Sequence, residues 1–496
     1  RDHRIKARMA ADAEGRILAI DADDLTGIGP YSVYPRTSAV EGNQVVNLLG
    51  GPYDFPNYRA KTTVVLQNKT PTCQYRAVGH PIATTVTEGL VDLAADAVGM
   101  DPAAFRLKNL MADDSYPRTS PAGMKFEGLS HVKSLAMLLD MMKYPSLRAE
   151  QAAFRQKGIH RGIGFASFIE LTNPSPFMYG IGGARISAMD GCTVRIDPDG
   201  SVVAATGVTE QGQGTEAIIC QIVAESVGVP IGTVRVLTGD TQSTPYGGGT
   251  WACRGAGIGG EAALQAGRAV RESALKVAAA MLQADAASLD LVDGNIVDRQ
   301  GGAVRLPLAE LGRIVYFRGD TLPPDVPREL MQTRHYTPKQ FPFAFTNGIQ
   351  ASYLEVDTET GMVRLLNHWV VEDCGTVINP MLVDEQVRGG VVQGIGGALY
   401  EHCVYSDEGQ LQIGSMADYL VPMAAEMPDI EVGHVETPTR ESALGAKGAG
   451  EAGTAGAPAA IMNAINDALR PFGARVFAQP FTPERILAAL GTVPGR

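Results

Sequence analysis

Two stretches, Gly255-Ala-Gly-Ile-Gly-Gly260 and Gly448-Ala-Gly-Glu-Ala-Gly453, satisfy G-x-G-x-x-G, the spacing that lets a backbone approach the pyrophosphate of a nicotinamide dinucleotide. Their context argues against that chemistry. Neither follows a clean buried strand, and neither is followed about 20 residues later by an acid ending a second strand, since Asp467 falls within a helical pattern. A Walker A loop fails as well, because Lys447 precedes its glycines and is not followed by Ser or Thr. The glycine clusters run Gly207 to Gly214, Gly247 to Gly260, Gly389 to Gly397 and Gly445 to Gly456. What remains is a set of loops whose main-chain N–H groups and helix N-termini could jointly hold one elongated anionic ligand, for which glycine lets backbone make the contact. The alternative for each loop taken singly is a tight turn in a glycine-rich core. Cys73, Cys192, Cys220, Cys253, Cys374 and Cys403 stand alone with no Cys-x-x-Cys, so no zinc knuckle or cysteine-held iron–sulfur cluster forms locally, and reduced thiols fit the cytoplasm.

Each glycine cluster is expected to be a loop leading into a helix. Helical apolar spacing marks Ile82 to Val98, Thr215 to Val227, Glu261 to Leu282 and Ala457 to Leu469, and Asp101-Pro102 reads as an N-cap with proline at the first helical position. Thr193 to Asp197 and Ser201 to Ala205 flank Pro198-Asp-Gly200 as a hairpin, and Ala351 to Val356 and Met362 to Val371 flank Asp357 to Gly361 as a second. The expected class is α+β. The basic, polar stretch near Arg148 to Arg161 is the boundary, with helix (Val132 to Met142) before it and strand-rich sequence after it. Thr321 to Pro338 reads as a long proline-rich surface connection.

The chain has 496 residues, 57 of them glycine, with 45% apolar and 19% charged residues, which excludes a disordered chain and a small binding module. No apolar run reaches the roughly 18 residues of a membrane span. Net charge is 42 − 54 = −12 with acids spread throughout, so a nucleic-acid backbone would be repelled.

Five motifs carry a resemblance: Gln74-Tyr-Arg-Ala-Val-Gly-His-Pro81, Thr209-Glu-Gln-Gly-Gln-Gly-Thr215, Gly249-Thr-Trp-Ala-Cys-Arg254, Gln386-Val-Arg-Gly-Gly-Val-Val-Gln-Gly-Ile-Gly396 and Gly445-Ala-Lys-Gly-Ala-Gly-Glu-Ala-Gly453. They resemble motifs of the molybdenum-binding subunit of the xanthine dehydrogenase/aldehyde oxidoreductase family, most like the bacterial molybdopterin cytosine dinucleotide hydroxylases, the branch that includes carbon monoxide dehydrogenase-like large subunits. The resemblance implies a two-part cofactor-binding fold, with residues 1–150 the remainder of the first domain and 151–496 the second. It also implies molybdenum held through the pterin dithiolene of molybdopterin cytosine dinucleotide, with no direct protein ligand. The general base in this resemblance is Glu451. A carboxylate in a glycine-lined, water-poor pocket has its pKa raised by desolvation, toward the range useful for taking a proton. Gln213 matches the glutamine whose amide reaches the oxo group or pterin, while Gly212 and Gly214 admit the cofactor to the backbone. The expected cofactor-binding set also includes Gln211, Thr215, Thr250, Cys253, Arg254, Gln393, Gly394, Lys447, Gly448 and Gly450. Arg76 matches an arginine near the metal that supports substrate, or else pairs with a core acid.

The departures matter. Ala77 and Val78 follow Arg76 where carbon monoxide dehydrogenases carry a bridging cysteine, which argues against a molybdenum–copper site. Val78 also replaces the phenylalanine that stacks on purine in xanthine enzymes, and Gln44 stands where those enzymes place an arginine that holds the purine oxygen. His80 lines the substrate pocket or caps the next helix. The family's N-terminal portion, with its Gly-Phe-Gly-Gly and glutamine loops, should precede Arg1, and either truncation or a separate subunit accounts for it.

The resemblance implies hydroxylation by water: Glu451 deprotonates the metal-bound hydroxyl, the oxygen enters an electron-poor carbon of an N-heteroaromatic or similar small molecule, and hydride passes to Mo=S. Electrons would leave through a two-[2Fe–2S] small subunit and an FAD-binding medium subunit, in a dimer of heterotrimers. The rivals are an aldehyde oxidoreductase with the same cofactor and a non-catalytic cofactor-binding or assembly subunit.

Overall fold

The computed structural model describes residues 2–493; Arg1 and residues 494–496, the outer ends of the two expected domains, lie outside the described residues. At its centre is a four-stranded sheet in the order Ile430–His434, Val363–Asp373, Ala344–Val356, His160–Thr172. The two long inner pairings are antiparallel and the pairing to Ile430–His434 is parallel. Along His160–Thr172 the even-numbered positions face the helix Ala452–Leu469, and the sequence makes them small where the helix comes close. A side chain on Gly162 or Gly164 would strike the helix backbone at Ala464 or Ala460, while Ala166 packs against Ala459 and Ala460. Helix numbering falls as strand numbering rises, so the strand's end at Glu170 meets the helix's beginning at Glu451.

The second face of the same helix packs on Pro380–Leu399. Here an expectation needs correcting: Gly389 to Gly397 form no loop ahead of a helix but lie inside one whose N-cap is Asn379. Gly390 lies against Gly453 and Thr454, and Gly394 against Ala457 and Pro458, so these glycines exist to bring two helices together. Periodicity alone does not tell a glycine that frees a loop from one that thins a helix.

Other elements follow the sequence reading closely. Helices occupy His80–Ala97, Thr215–Val227 and Glu261–Leu282, and Asp101 accepts N–H bonds from Ala103 and Ala104. Both hairpins form, as Asp190–Ile196 with Val202–Thr206 and as Ala344–Val356 with Val363–Asp373. The segment Thr321 to Pro338 departs from its expectation as a surface connection, since it contains a strand, Met331–Tyr336, that pairs with Asp190–Ile196; the basic stretch before His160 contains the helix Tyr144–Arg155. Its Arg148 reaches Asp467 at 2.8 Å, which confirms that Asp467 is a helix residue with a packing role. A three-stranded sheet, Asp2–Ala11, Ile17–Gly27 and Asn57–Val65, with helix Val40–Leu48, completes the N-terminal region. One apolar cluster joins the two regions, since Ile17, Val91 and Phe105 pack with Phe165, Ile349 and Trp369. No helix among the described residues is long and apolar enough to cross a membrane.

Candidate active site

Glu451 is the N-cap residue of Ala452–Leu469, and its loop is held from below by the central sheet. Thr346 Oγ1 donates to the Gly448 carbonyl at 2.5 Å, and Gln350 Nε2 donates to the carbonyls of Ala452 and Gly453 at 3.2 and 3.0 Å. Thr346 pairs in register with Glu170, and Gln350 with Ala166, so all four project to the helix side. From above, Arg76 clamps the same loop: Nε donates to the Gly450 carbonyl at 2.5 Å, Nη1 to Gln393 Oε1 at 2.9 Å and Nη2 to the Gln386 carbonyl at 3.0 Å. The arginine thus joins three of the five motifs through neutral acceptors. Burial raises Glu451 to a pKa of about 7, against the opposing pull of Arg76, the Ala77 N–H that donates to its carboxylate, and Arg36.

The remaining motifs arrive by main-chain contact. Cys253 adopts a left-handed conformation (φ 51°) and lies against Gly448 and Gly450, where a Cβ would collide with its carbonyl and Sγ. At Gly448, where a Cβ would lie 2.2 Å from that carbonyl and φ is positive, only glycine allows this approach, while Gly450 leaves the Sγ a tight 3.0 Å. Thr250 Oγ1 accepts from Thr209 N–H at 2.9 Å and donates to the Thr209 carbonyl at 2.8 Å, which joins the Thr250 loop to the Gln211–Thr215 loop. Asn173, just beyond the Glu170 strand, accepts no bond at Oδ1, but its N–H reaches the Ala252 carbonyl and its Nδ2 the Ala446 carbonyl. Contacts therefore run without a break from Thr209 through Thr250, Cys253, Gly448, Gly450 and Arg76 to Gln393.

Within this convergence several side chains have fixed internal partners. Gln213 donates to the Thr209 carbonyl at 3.1 Å and Thr215 Oγ1 at 2.6 Å and accepts from Gln211 N–H at 2.6 Å. Arg254 is fully buried, bound to Asp190 at 2.8 Å and to the carbonyls of Gly249 and Met189, so its guanidinium pins the loop. Lys447 is buried with Nζ donating to Thr437 Oγ1 at 2.8 Å and lying 3.4 Å from Asp373. The helix N-terminus at Thr215 is one of those expected to hold an anionic ligand, yet it already has an anion. The Glu210 carboxylate accepts from the N–H groups of Gln211, Gly212, Gly214 and Glu216 at 2.8–3.1 Å, and those bonds hold its pKa down despite burial. A short acidic side chain one residue ahead of the loop was the unread signal.

Arg76, Val78, Gln393 and Gly394 border an open cleft of about 1200 Å³ between the N-terminal sheet and helix Ala452–Leu469. Glu451 does not border this cleft, and neither do Gln44 and His80. His80 is buried with no partner for either ring nitrogen among the described residues, and burial lowers its pKa to about 3, so it is neutral. Gln44 Oε1 is likewise buried and unpartnered, and its Cβ lies 3.2 Å from the position of a side chain on Gly79. A molybdenum–pterin group fits what is present. Gly212 and Gly249 are left-handed, with open space where a Cβ would point, so a ligand can lie directly on main chain there.

Sequence reasoning missed Glu170, Thr346 and Gln350. The signal was available: polar residues at matching parity in two strands otherwise buried on both faces need a partner or a task.

A family model described as a molybdopterin cofactor-binding domain matches residues 137–428, and a second of that description matches residues 1–110. The chain is 34% identical over 486 residues to the nicotine 6-hydroxylase large subunit of Paenarthrobacter nicotinovorans, covering 98% of this chain and 59% of that one. It is 29% identical to the carbon monoxide dehydrogenase large chain of Hydrogenophaga pseudoflava, covering 99% of this chain and 61% of that one. The crystal structure of quinoline 2-oxidoreductase from Pseudomonas putida 86 superposes with a TM-score of 0.92 at 34% identity, over 100% of this chain and 62% of that one. The chain thus spans about 60% of the length of the relatives it matches.

Proposed function

The chain belongs to the molybdopterin cofactor-binding family, and from that premise we propose that it is the large-subunit portion of a molybdenum hydroxylase in which Glu451 is the general base. The observation that carries this reading is a carboxyl group at the meeting point of the motif loops, its pKa lifted to about 7 by burial, so that it can both take and release a proton near neutrality. When bound, the molybdenum–pterin group supplies the two-electron oxidation and the activated, water-derived oxygen.

The parts this chain plays fall to its side chains and backbone. Arg76 holds the Glu451 loop against Gln386 and Gln393 and so limits where the base can sit. The main chain at Gly212, Gly249, Gly448 and Gly450 would hold the cofactor, with Gln213, Thr250 and Gln393 offering polar groups beside it. Arg254 and Lys447 act from behind, fixing the loops that carry Cys253 and Glu451. The cofactor form we propose is molybdopterin cytosine dinucleotide, with [2Fe–2S] and FAD groups on small and medium partner subunits in a dimer of heterotrimers. The two domains would divide near residue 150.

The substrate class we propose is a neutral N-heteroaromatic ring. Val78 borders the cleft and offers no ring for stacking on a purine, whereas Gln44 and His80 lie outside its lining and take no part in the choice. The nicotine and quinoline enzymes are themselves named for N-heteroaromatic compounds. The test is turnover by the complete complex with an artificial electron acceptor. A pyridine or quinoline derivative should react much faster than xanthine. Equal xanthine turnover would reject the substrate class, and preference for an aldehyde would establish the aldehyde oxidoreductase instead.

A further inference from the structure

Glu170 is a buried carboxyl group that the proposed chemistry leaves without a task. It is fully buried, and among the described residues neither of its oxygens has a partner other than the Cys253 thiol, a weak donor. One carboxyl oxygen each of Glu170 and Glu451 and the Sγ of Cys253 all lie within 4.8 Å of one another. The backbone fixes this placement, because Glu170 sits opposite Thr346 in a continuous register while Gly162 and Gly164, on the same face, lock the strand to the helix that begins at Glu451.

A carboxylate with only a weak thiol donor in such a place is far more costly than a carboxylic acid. Two carboxyl groups this close also oppose each other's ionisation by about a hundredfold at the effective dielectric of a protein interior. The proton then belongs to the group with less support for charge. Glu451 has the Ala77 N–H and the Arg76 and Arg36 guanidinium groups in its favour. Glu170 has Cys253 and Arg76 in its favour, and has burial and the acids Glu451 and Glu372 against it, which together lift it well above the carboxylate range. The assignment is the same from either side: Glu451 ionises and Glu170 does not.

We propose that Glu170 is a permanently protonated carboxylic acid that donates its O–H to the Glu451 carboxylate and orients it. This makes Glu170 a positioning residue, and it rests on the reading of Glu451 as the base. A donor on one oxygen leaves the other to take the proton, and it keeps Glu451 from drifting toward the neutral form that burial favours.

The test is infrared difference spectroscopy of the full chain, which needs no turnover. Subtracting Glu170→Gln from the unaltered protein at about pH 9 should reveal one lost protonated-carboxyl C=O band. The midpoint of Glu451, read from the corresponding Glu451→Gln difference across pH, should change less than about threefold in proton affinity in Glu170→Gln, where an amide still donates. In Glu170→Leu, where nothing donates, proton affinity should rise by about tenfold or more. Absence of the lost band, or a hundredfold fall in Glu451 proton affinity in Glu170→Gln, would show that Glu170 is ionised and overturn the proposal. An unchanged midpoint in a folded Glu170→Leu would overturn it too, and if that variant fails to fold the band in Glu170→Gln still decides. Retained turnover in Glu451→Gln would strike the base itself, a result distinguishable from all of these.

Discussion

Two buried acid clusters lie on opposite sides of the central sheet's first strand, and they treat charge in opposite ways. Glu88 and Asp92 share Arg106, with Nη2 2.7 Å from Glu88 and Nη1 2.7 Å from Asp92, and Tyr53 Oη donates to Glu88 at 2.7 Å. Among the described residues Glu170 and Glu451 have no such counter-ion in contact. Arg76 gives its nearest donors to carbonyl and amide oxygens instead. Burial pushes Glu88 and Asp92 upward too, but there Arg106 opposes it at close range. A cluster built for stability pairs its charges, whereas one built to move a proton leaves a carboxyl group poised between its two forms.

The largest effect that would sharpen this contrast is removal of Arg106. Arg106→Met strands two buried acids and should cost about 3–5 kcal/mol in denaturant unfolding. A loss below about 1 kcal/mol would mean the pairing is not what holds that cluster.

The helix contact that sets the site should be next. A side chain on Gly453 would lie 2.2 Å from the Val387 carbonyl, so Gly453→Ala should destabilise by about 1–3 kcal/mol. It should also disturb the Glu451 loop. Unfolding measurements at stability close to that of the unaltered chain would show that the two helices have room to spare.

The opposite sign is expected at Glu451. Its folded-state pKa, about 7, lies above the ordinary value of 4.5, so its contribution to stability is fully present below about pH 4.5 and is lost as pH rises to about 7. Glu451→Gln removes that loss, and the variant should be more stable near neutrality by on the order of 1–2 kcal/mol, with no gain at about pH 4. A destabilised Gln variant at neutral pH would place Glu451 with the paired acids.

The smallest effect concerns the clamp. Arg76 lowers the pKa of Glu451, so Arg76→Lys, which keeps the charge but loses the fork, should move the rising limb of the pH–rate profile upward by less than about one pH unit. Arg76→Gln should move it further in the same direction. A shift toward lower pH would contradict the assigned sign.

Much of this was legible in the sequence. The Asp101 cap, the two hairpins and the helices at Thr215 and Glu261 follow from turn chemistry and spacing, which act within a few residues. The glycines of Pro380–Leu399 misled because their purpose is a distant helix, and Glu210 was passed over because its partners are backbone N–H groups, its one mark in the sequence being an acid just ahead of the loop. Glu170 is legible only once strand parity and register with Thr346 are known, and that pairing joins residues about 176 positions apart.

The central claim is that Glu451 is the base, and the most direct test is turnover of Glu451→Gln in the complete complex at matched molybdenum content. Turnover should fall about a hundredfold or more while the metal and the substrate affinity are retained. A fully loaded Gln variant that kept more than about a tenth of the rate would contradict the assignment.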